Sequence, residues 1–67
     1  MKSNEMNWEE VRANAAIAAM QATISNEKLL DGTGIIAKKI GRNTRDLIIA
    51  NSIDYANKLV EELKKGE

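Results

Sequence analysis

The stretch from Thr44 to Lys64 constrains this chain more than any other. Ile49, Ile53, Ala56, Val60 and Leu63 recur there at intervals of four, three, four and three residues. That periodicity belongs to a helix with one buried stripe, and Ile48, Tyr55 and Leu59 widen the stripe on one side. Thr44 stands where an N-cap is expected. Asp46 faces the positive end of the helix dipole, Lys64 and Lys65 face the negative end, and Gly66 ends the helix. Whatever else the chain forms must cover this apolar face.

Sixty-seven residues make one domain, 1–67, with residues 1–6 expected to be disordered. A chain of that size buries only about 60% of the surface its unfolded form exposes. Small domains usually compensate with disulfides, a metal or oligomerisation. There is no Cys and no His, so oligomerisation is the remaining route and no metal site or cofactor is expected. The same absences remove the thiolate nucleophile and the imidazole base. No paired-carboxylate arrangement stands out either, so the chain reads as a non-enzyme.

Ten basic and ten acidic residues balance to a formal charge of zero, which provides no global field for nucleic acid or an anionic membrane. The N-terminal segment has no apolar h-region, and no run approaches the roughly 20 apolar residues of a spanning helix. The expectation is a soluble, intracellular protein.

Asn7 followed by Glu10 is close to a capping box and opens a first helix over about residues 8–25, rich in Ala and free of Gly and Pro. On a helical wheel Trp8, Val11, Ala15, Ala18 and Ala22 share one face. Ala13, Ile17, Met20 and Ile24 lie nearly opposite, with Arg12 and Thr23 on one boundary and Glu10, Asn14, Gln21 and Ser25 on the other. One stripe suffices for a two-helix monomer. The second, Ala13–Ile17–Met20–Ile24, is expected to contact another subunit; the middle segment of the same chain is the alternative. Ser25–Lys28 ends this helix, and Leu29 and Leu30 are expected to fold back on the core. The glycines in Asp31-Gly32-Thr33-Gly34 predict a turn, followed by a short helix near 35–41 and the long helix over about 44–64. The fold expected is all-α: a helical hairpin with a short connecting helix, assembled as a homo-oligomeric bundle.

Three features carry possible chemistry. Gly32 and Gly34 before a helix can offer backbone N–H groups to a phosphate, with Lys38 and Lys39 nearby, although the spacing is not that of a P-loop. The bland alternative is a flexible turn. Lys38, Lys39, Arg42 and Arg45 put four cations within eight residues, bordered only by Asp46, at the start of the long helix beside Thr44. Such a cluster suits phosphate or carboxylate, above all if symmetry brings two copies together; otherwise it is a solvated corner. Ala37, Gly41 and Leu47 follow the spacing of a helix-turn-helix, in which Thr44, Arg45 and Ile48 would open a recognition helix. Zero net charge and the apolar run Leu47–Ala50 count against nucleic acid. Tyr55 and Trp8 read as packing residues, with ligand stacking as the less favoured role.

Two stretches resemble those of a group of very short phage and prophage helical proteins. Ala15–Asn26 is similar to their A-A-M-Q-G-[IL]-L-[AS]-N segment. Thr44, Ile48, Ser52, Ile53, Ala56, Leu59, Val60 and Leu63 fall in register with their C-terminal pattern. The chain departs from that pattern at Ala22, usually Gly, at Asn57, usually Asp, and in its longer connection over Leu29–Asn43. The shared positions are packing residues, so the resemblance implies a fold and a phage origin, hence the cytoplasm of a bacterial host, and assigns no functional residue. A phage protein without catalytic groups is expected to act by binding. The leading expectation is capture of a small anionic ligand such as a nucleotide immune signal. Two others stand beside it: a protein-binding inhibitor of a host factor using the apolar face of helix one, and a small DNA-binding regulator.

Overall fold

A computed structural model describes residues 6–66. Three helices follow one another: α1 over Trp8–Ser25, α2 over Glu27–Lys39 and α3 over Thr44–Lys65. The expected all-α class holds. The expectation of disorder over 1–6 lies, apart from the exposed Met6, outside the described residues.

Asparagine starts every helix. The Oδ1 atoms of Asn7, Asn26 and Asn43 accept from the N–H groups of Glu10, Leu29 and Asp46 at 3.2, 3.1 and 3.2 Å. Each satisfies one of the donors a helix leaves open at its first turn. Asn43 therefore caps α3, and Thr44 is its first helical residue rather than the cap expected.

Asn26 alone separates α1 from α2. Its N–H donates to the Thr23 carbonyl at 3.3 Å while its side chain caps the helix that follows. The turn expected at Asp31–Gly34 is absent, and α2 runs through both glycines; the short helix placed near 35–41 begins at Glu27 instead. Thr33 Oγ1 donates to the Leu29 carbonyl at 2.8 Å, closing this stretch within the helix. Gly41, at φ +72°, is the residue that ends α2, and the Arg42 N–H reaches back to the Ala37 carbonyl at 2.8 Å. That left-handed C-terminal closure favours glycine.

α1 and α3 pack antiparallel. Lys64 Nζ sits 5.5 Å from the centre of the Trp8 ring at one end, while Met20 and Ile24 share a cleft with Arg45 and Ile49 at the other. The buried line of α3 is Leu47, Ile48, Ser52, Ala56 and Val60. Ala56 and Val60 are where periodicity placed them, but Ile49, Ile53 and Leu63 are 41%, 48% and 46% exposed. The contact stripe thus follows a spacing of four, 48–52–56–60, and a serine occupies one of its positions. Ser52 Oγ donates to the Ile48 carbonyl at 2.7 Å, so the buried hydroxyl has its partner inside the helix.

The face of α1 toward α3 consists of half-buried Trp8, Val11, Arg12, Ala15, Ala16, Ala19, Met20 and Thr23. Arg12 and Thr23, expected at the boundary, lie within it; Ala18 and Ala22, expected inside, are exposed. Ala15, Ala16 and Ala19 lie on the half-buried face of α1, and Ser52 and Ala56 on the buried line of α3; small side chains on both packed helices let them approach closely. Leu30 is half-buried as expected, whereas Leu29 remains 53% exposed.

Arg12 Nε is buried with no hydrogen-bond partner among the described residues. A buried unpaired N–H costs about 1–3 kcal/mol, whereas an apolar group of similar shape does not. Arg12→Met should therefore stabilise the fold by about 1 kcal/mol, read as a later urea midpoint at unchanged slope. An earlier midpoint would mean that the guanidinium holds something the chain needs.

Candidate functional site

The basic corner forms where α2 ends and α3 begins. Lys38 and Lys39 occupy the last turn of α2, Arg42 lies in the connection, and Arg45 is in the first turn of α3; all four are exposed. Arg45 Nε approaches Asp46 Oδ1 at 3.7 Å. Among the described residues no carboxylate lies within ion-pair distance of Lys38, Lys39 or Arg42. The other ion pairs form a surface network of Lys58 and Lys65 with Glu61 and Glu62 on α3. Hydrogen bonds from Lys58 first to Glu62 and then to Glu61 hold its pKa above the usual lysine value.

Close packing of α2 on α3 shapes the corner. An added Cβ on Gly34 would lie 3.6 Å from Thr44 Oγ1, an ordinary contact distance. Gly34, Lys38 and Thr44 line one open cleft of about 730 Å³, with Asp31, Leu30 and Ile35 as the other walls. Three of the seven residues expected to bind a ligand therefore converge. Gly32 does not join them, and neither glycine offers a phosphate loop, because inside a helix the backbone N–H is taken by the carbonyl four residues back. The N-terminus available to an anion is that of α3, where Asn43 already takes the Asp46 N–H. Lys38 and Lys39 sit at the opposite, negative end of α2, where their charges complement that helix's own carbonyls.

The helix-turn-helix spacing is partly realised and its reading surface is not. Ala37 and Leu47 are 1% and 7% exposed and Gly41 has its positive φ. Of the three residues expected to face DNA, however, Ile48 is 6% exposed and Thr44 is half-buried, which leaves Arg45.

Two apolar surfaces lie outside the core, on opposite sides of the α1–α3 pair. Ala13, Ile17 and Ile24 are exposed and Met20 half-buried, and Ile49 and Ile53 of α3 extend their side. A cleft of about 420 Å³ joins Met20 and Ile24 to Ile48 and Ile49. On the other side Leu29 and Tyr55, the latter 70% exposed, flank a cleft of about 330 Å³ walled by Ala22, Thr33 and Asn51. Leu29 and Ile36 of α2, with Ile40 just after its last residue, make an exposed stripe. Periodicity marks the first surface on α1 but not its continuation onto Ile49 and Ile53, because their spacing with Ala56 and Val60 is that of a core stripe.

Among the described residues no three acidic side chains converge as a metal site would need, and no helix is long and apolar enough to cross a membrane. No family model, curated protein or solved structure matches this chain.

Proposed function

We propose that this chain is a phage-encoded, non-enzymatic binding protein that assembles as a homo-oligomer and captures a small anionic ligand of the nucleotide class. The observation that carries the ligand reading is the concentration of Lys38, Lys39, Arg42 and Arg45 at one exposed corner of a chain whose formal charge is zero. Cations placed beside the N-terminus of α3 and a cleft suit phosphate oxygens, and arginine can hold them bidentately. The mode of action is stoichiometric capture without turnover. Assembly is favoured by the imbalance between a small core and a large exposed apolar area, since a monomer of this size has little else to stabilise it.

Thermal melting and light scattering with a panel of linear and cyclic nucleotides test this reading. One nucleotide should raise the melting temperature, because a ligand that prefers the native state stabilises it. The Lys38→Glu/Arg42→Glu double variant should lose that shift while keeping its oligomeric mass. A protein whose melting ignores every nucleotide is not a capture protein of this kind. The exposed α2 stripe with Tyr55 favours a second reading, inhibition of a host protein by helix docking; a monomer indifferent to nucleotides would move the case there.

A further inference from the structure

Little holds α2 to the α1–α3 hairpin. Ala37 is its one buried residue, against Leu47, Ile48, Ser52, Ala56 and Val60 on α3. Leu30, Gly32, Thr33 and Gly34 are half-buried, and two of those four have no side chain to pack. Leu29, Ile35 and Ile36, the other large apolar residues of α2, are 53%, 60% and 55% exposed. The apolar area that α2 removes from water therefore rests mainly on Leu30 and Ala37. Among the described residues no side chain of α2 makes a hydrogen bond or ion pair to α1 or α3; the Thr33 hydroxyl is spent on the Leu29 carbonyl of its own helix. Away from the hairpin α2 does not persist. Its 13 residues lie in the range of about 12–15 where an isolated helix is marginal in water even when rich in alanine. Gly32 and Gly34 weaken it further, and the Asn26 cap with Lys38 and Lys39 in the last turn offsets part of that loss.

The hairpin has support of its own. Its seam runs from Met20 and Ile24 beside Arg45 and Ile49 to Trp8 beside Lys64. The three clefts that α2 walls together with it lie along α3 between Thr44 and Tyr55, so Ala56, Val60 and the Trp8–Lys64 contact lie beyond them. We infer that α2 is a clasp: it unfolds and refolds on a standing α1–α3 pair, at a lower free energy than global unfolding. Opening dismantles the cleft of about 730 Å³, because Leu30, Asp31, Gly34, Ile35 and Lys38 leave with α2 and Thr44 stays on α3. The basic corner is complete only with the clasp closed. An anion held jointly by Lys38 and Arg45 then binds the closed state alone, and its apparent affinity falls with the closed fraction. That last consequence rests on the ligand reading above; the clasp itself does not.

Hydrogen exchange of the intact chain, resolved amide by amide and without ligand, tests the clasp. Amides from Asp31 to Ala37 should exchange at least tenfold faster than the slowest amides of α1 and of Ser52–Val60. Low urea should barely change the α2 rates and should raise the hairpin rates steeply, because only global unfolding exposes a large surface. Val60→Ala, at a residue 2% exposed and beyond the reach of α2, should speed exchange in α1 and α3 about tenfold and leave α2 unchanged. One common factor for all three helices, or one common urea dependence, would overturn the clasp by making the chain a single cooperative unit. Should Val60→Ala fail to fold, the urea series on the unsubstituted chain decides alone. No ligand enters the measurement, so a protein that captures no nucleotide still shows the clasp, and loss of the clasp leaves the nucleotide panel to be read separately.

Discussion

Ile48→Ala should leave a large part of the population unfolded in modest denaturant. Ile48 is 6% exposed and forms a wall of both clefts between the hairpin and its flanks, so it touches the seam from two sides. Removing its three terminal carbons costs the transfer term plus an unfilled cavity, about 2–4 kcal/mol at a site so enclosed. A 67-residue domain has about 3–10 kcal/mol in total. Few residues share the load: among the described residues the buried apolar set is Ala37, Leu47, Ile48, Ala56 and Val60. The comparison to make is Leu63→Ala, at a residue that is 46% exposed, which should cost under about 1 kcal/mol. Urea denaturation of both variants checks the phase of α3. Equal losses would mean that the contact stripe runs through Leu63 and not through Ile48.

Replacing Gly32 and Gly34 together by alanine should raise stability by about 2 kcal/mol, since each glycine inside a helix costs about 1 kcal/mol relative to alanine. A Cβ on Gly32 meets nothing within 4 Å, and one on Gly34 meets Thr44 Oγ1 at 3.6 Å, so neither substitution forces a clash. The melting temperature should rise by about 8–16 °C, taking 4–8 °C per kcal/mol for a domain this small. Gly41→Ala should act with the opposite sign, because its φ of +72° strains any side chain. A Gly32→Ala/Gly34→Ala protein that melts earlier would place a turn at Asp31–Gly34 after all.

These two positions also show how far sequence reasoning reaches. The bounds of α1 are legible because the Asn7 cap and an acidic first turn are local signals that later packing reinforces; α3 begins one residue after its true cap, since both Asn43 and Thr44 are residue types that cap well and only the Asn43 side chain reaches the Asp46 N–H. The phase of α3 is not legible. Two overlapping stripes run along it, and the apolar count favours the one through Ile49, Ile53 and Leu63. The stripe that packs contains Ser52, whose hydroxyl becomes harmless only once it bonds the Ile48 carbonyl. On α1 the alanines give little contrast between faces, so the pattern alone places Arg12 and Thr23 at the edge of a seam that they enter. The glycines of α2 carry a true local penalty, outweighed by the Asn26 cap and by Ala37, 1% exposed. The basic corner was legible as a charge cluster, and its convergence with Gly34 and Thr44 depended on the path of α2.

The single residue between α1 and α2 leaves almost no slack in the chain. Asn26 accepts for one helix and donates to the other, so the two rods share a joint rather than a loop. Helical residues advance about 100° each around their axis. One residue more or fewer at this joint would turn α2 by that angle, swinging Ala37 away from its packed position and Lys38 away from Thr44. Spacing at residue 26 therefore acts as a gear between the hairpin and the basic corner. Length changes can accumulate more safely between Ile40 and Asn43, where the backbone already leaves the helical path.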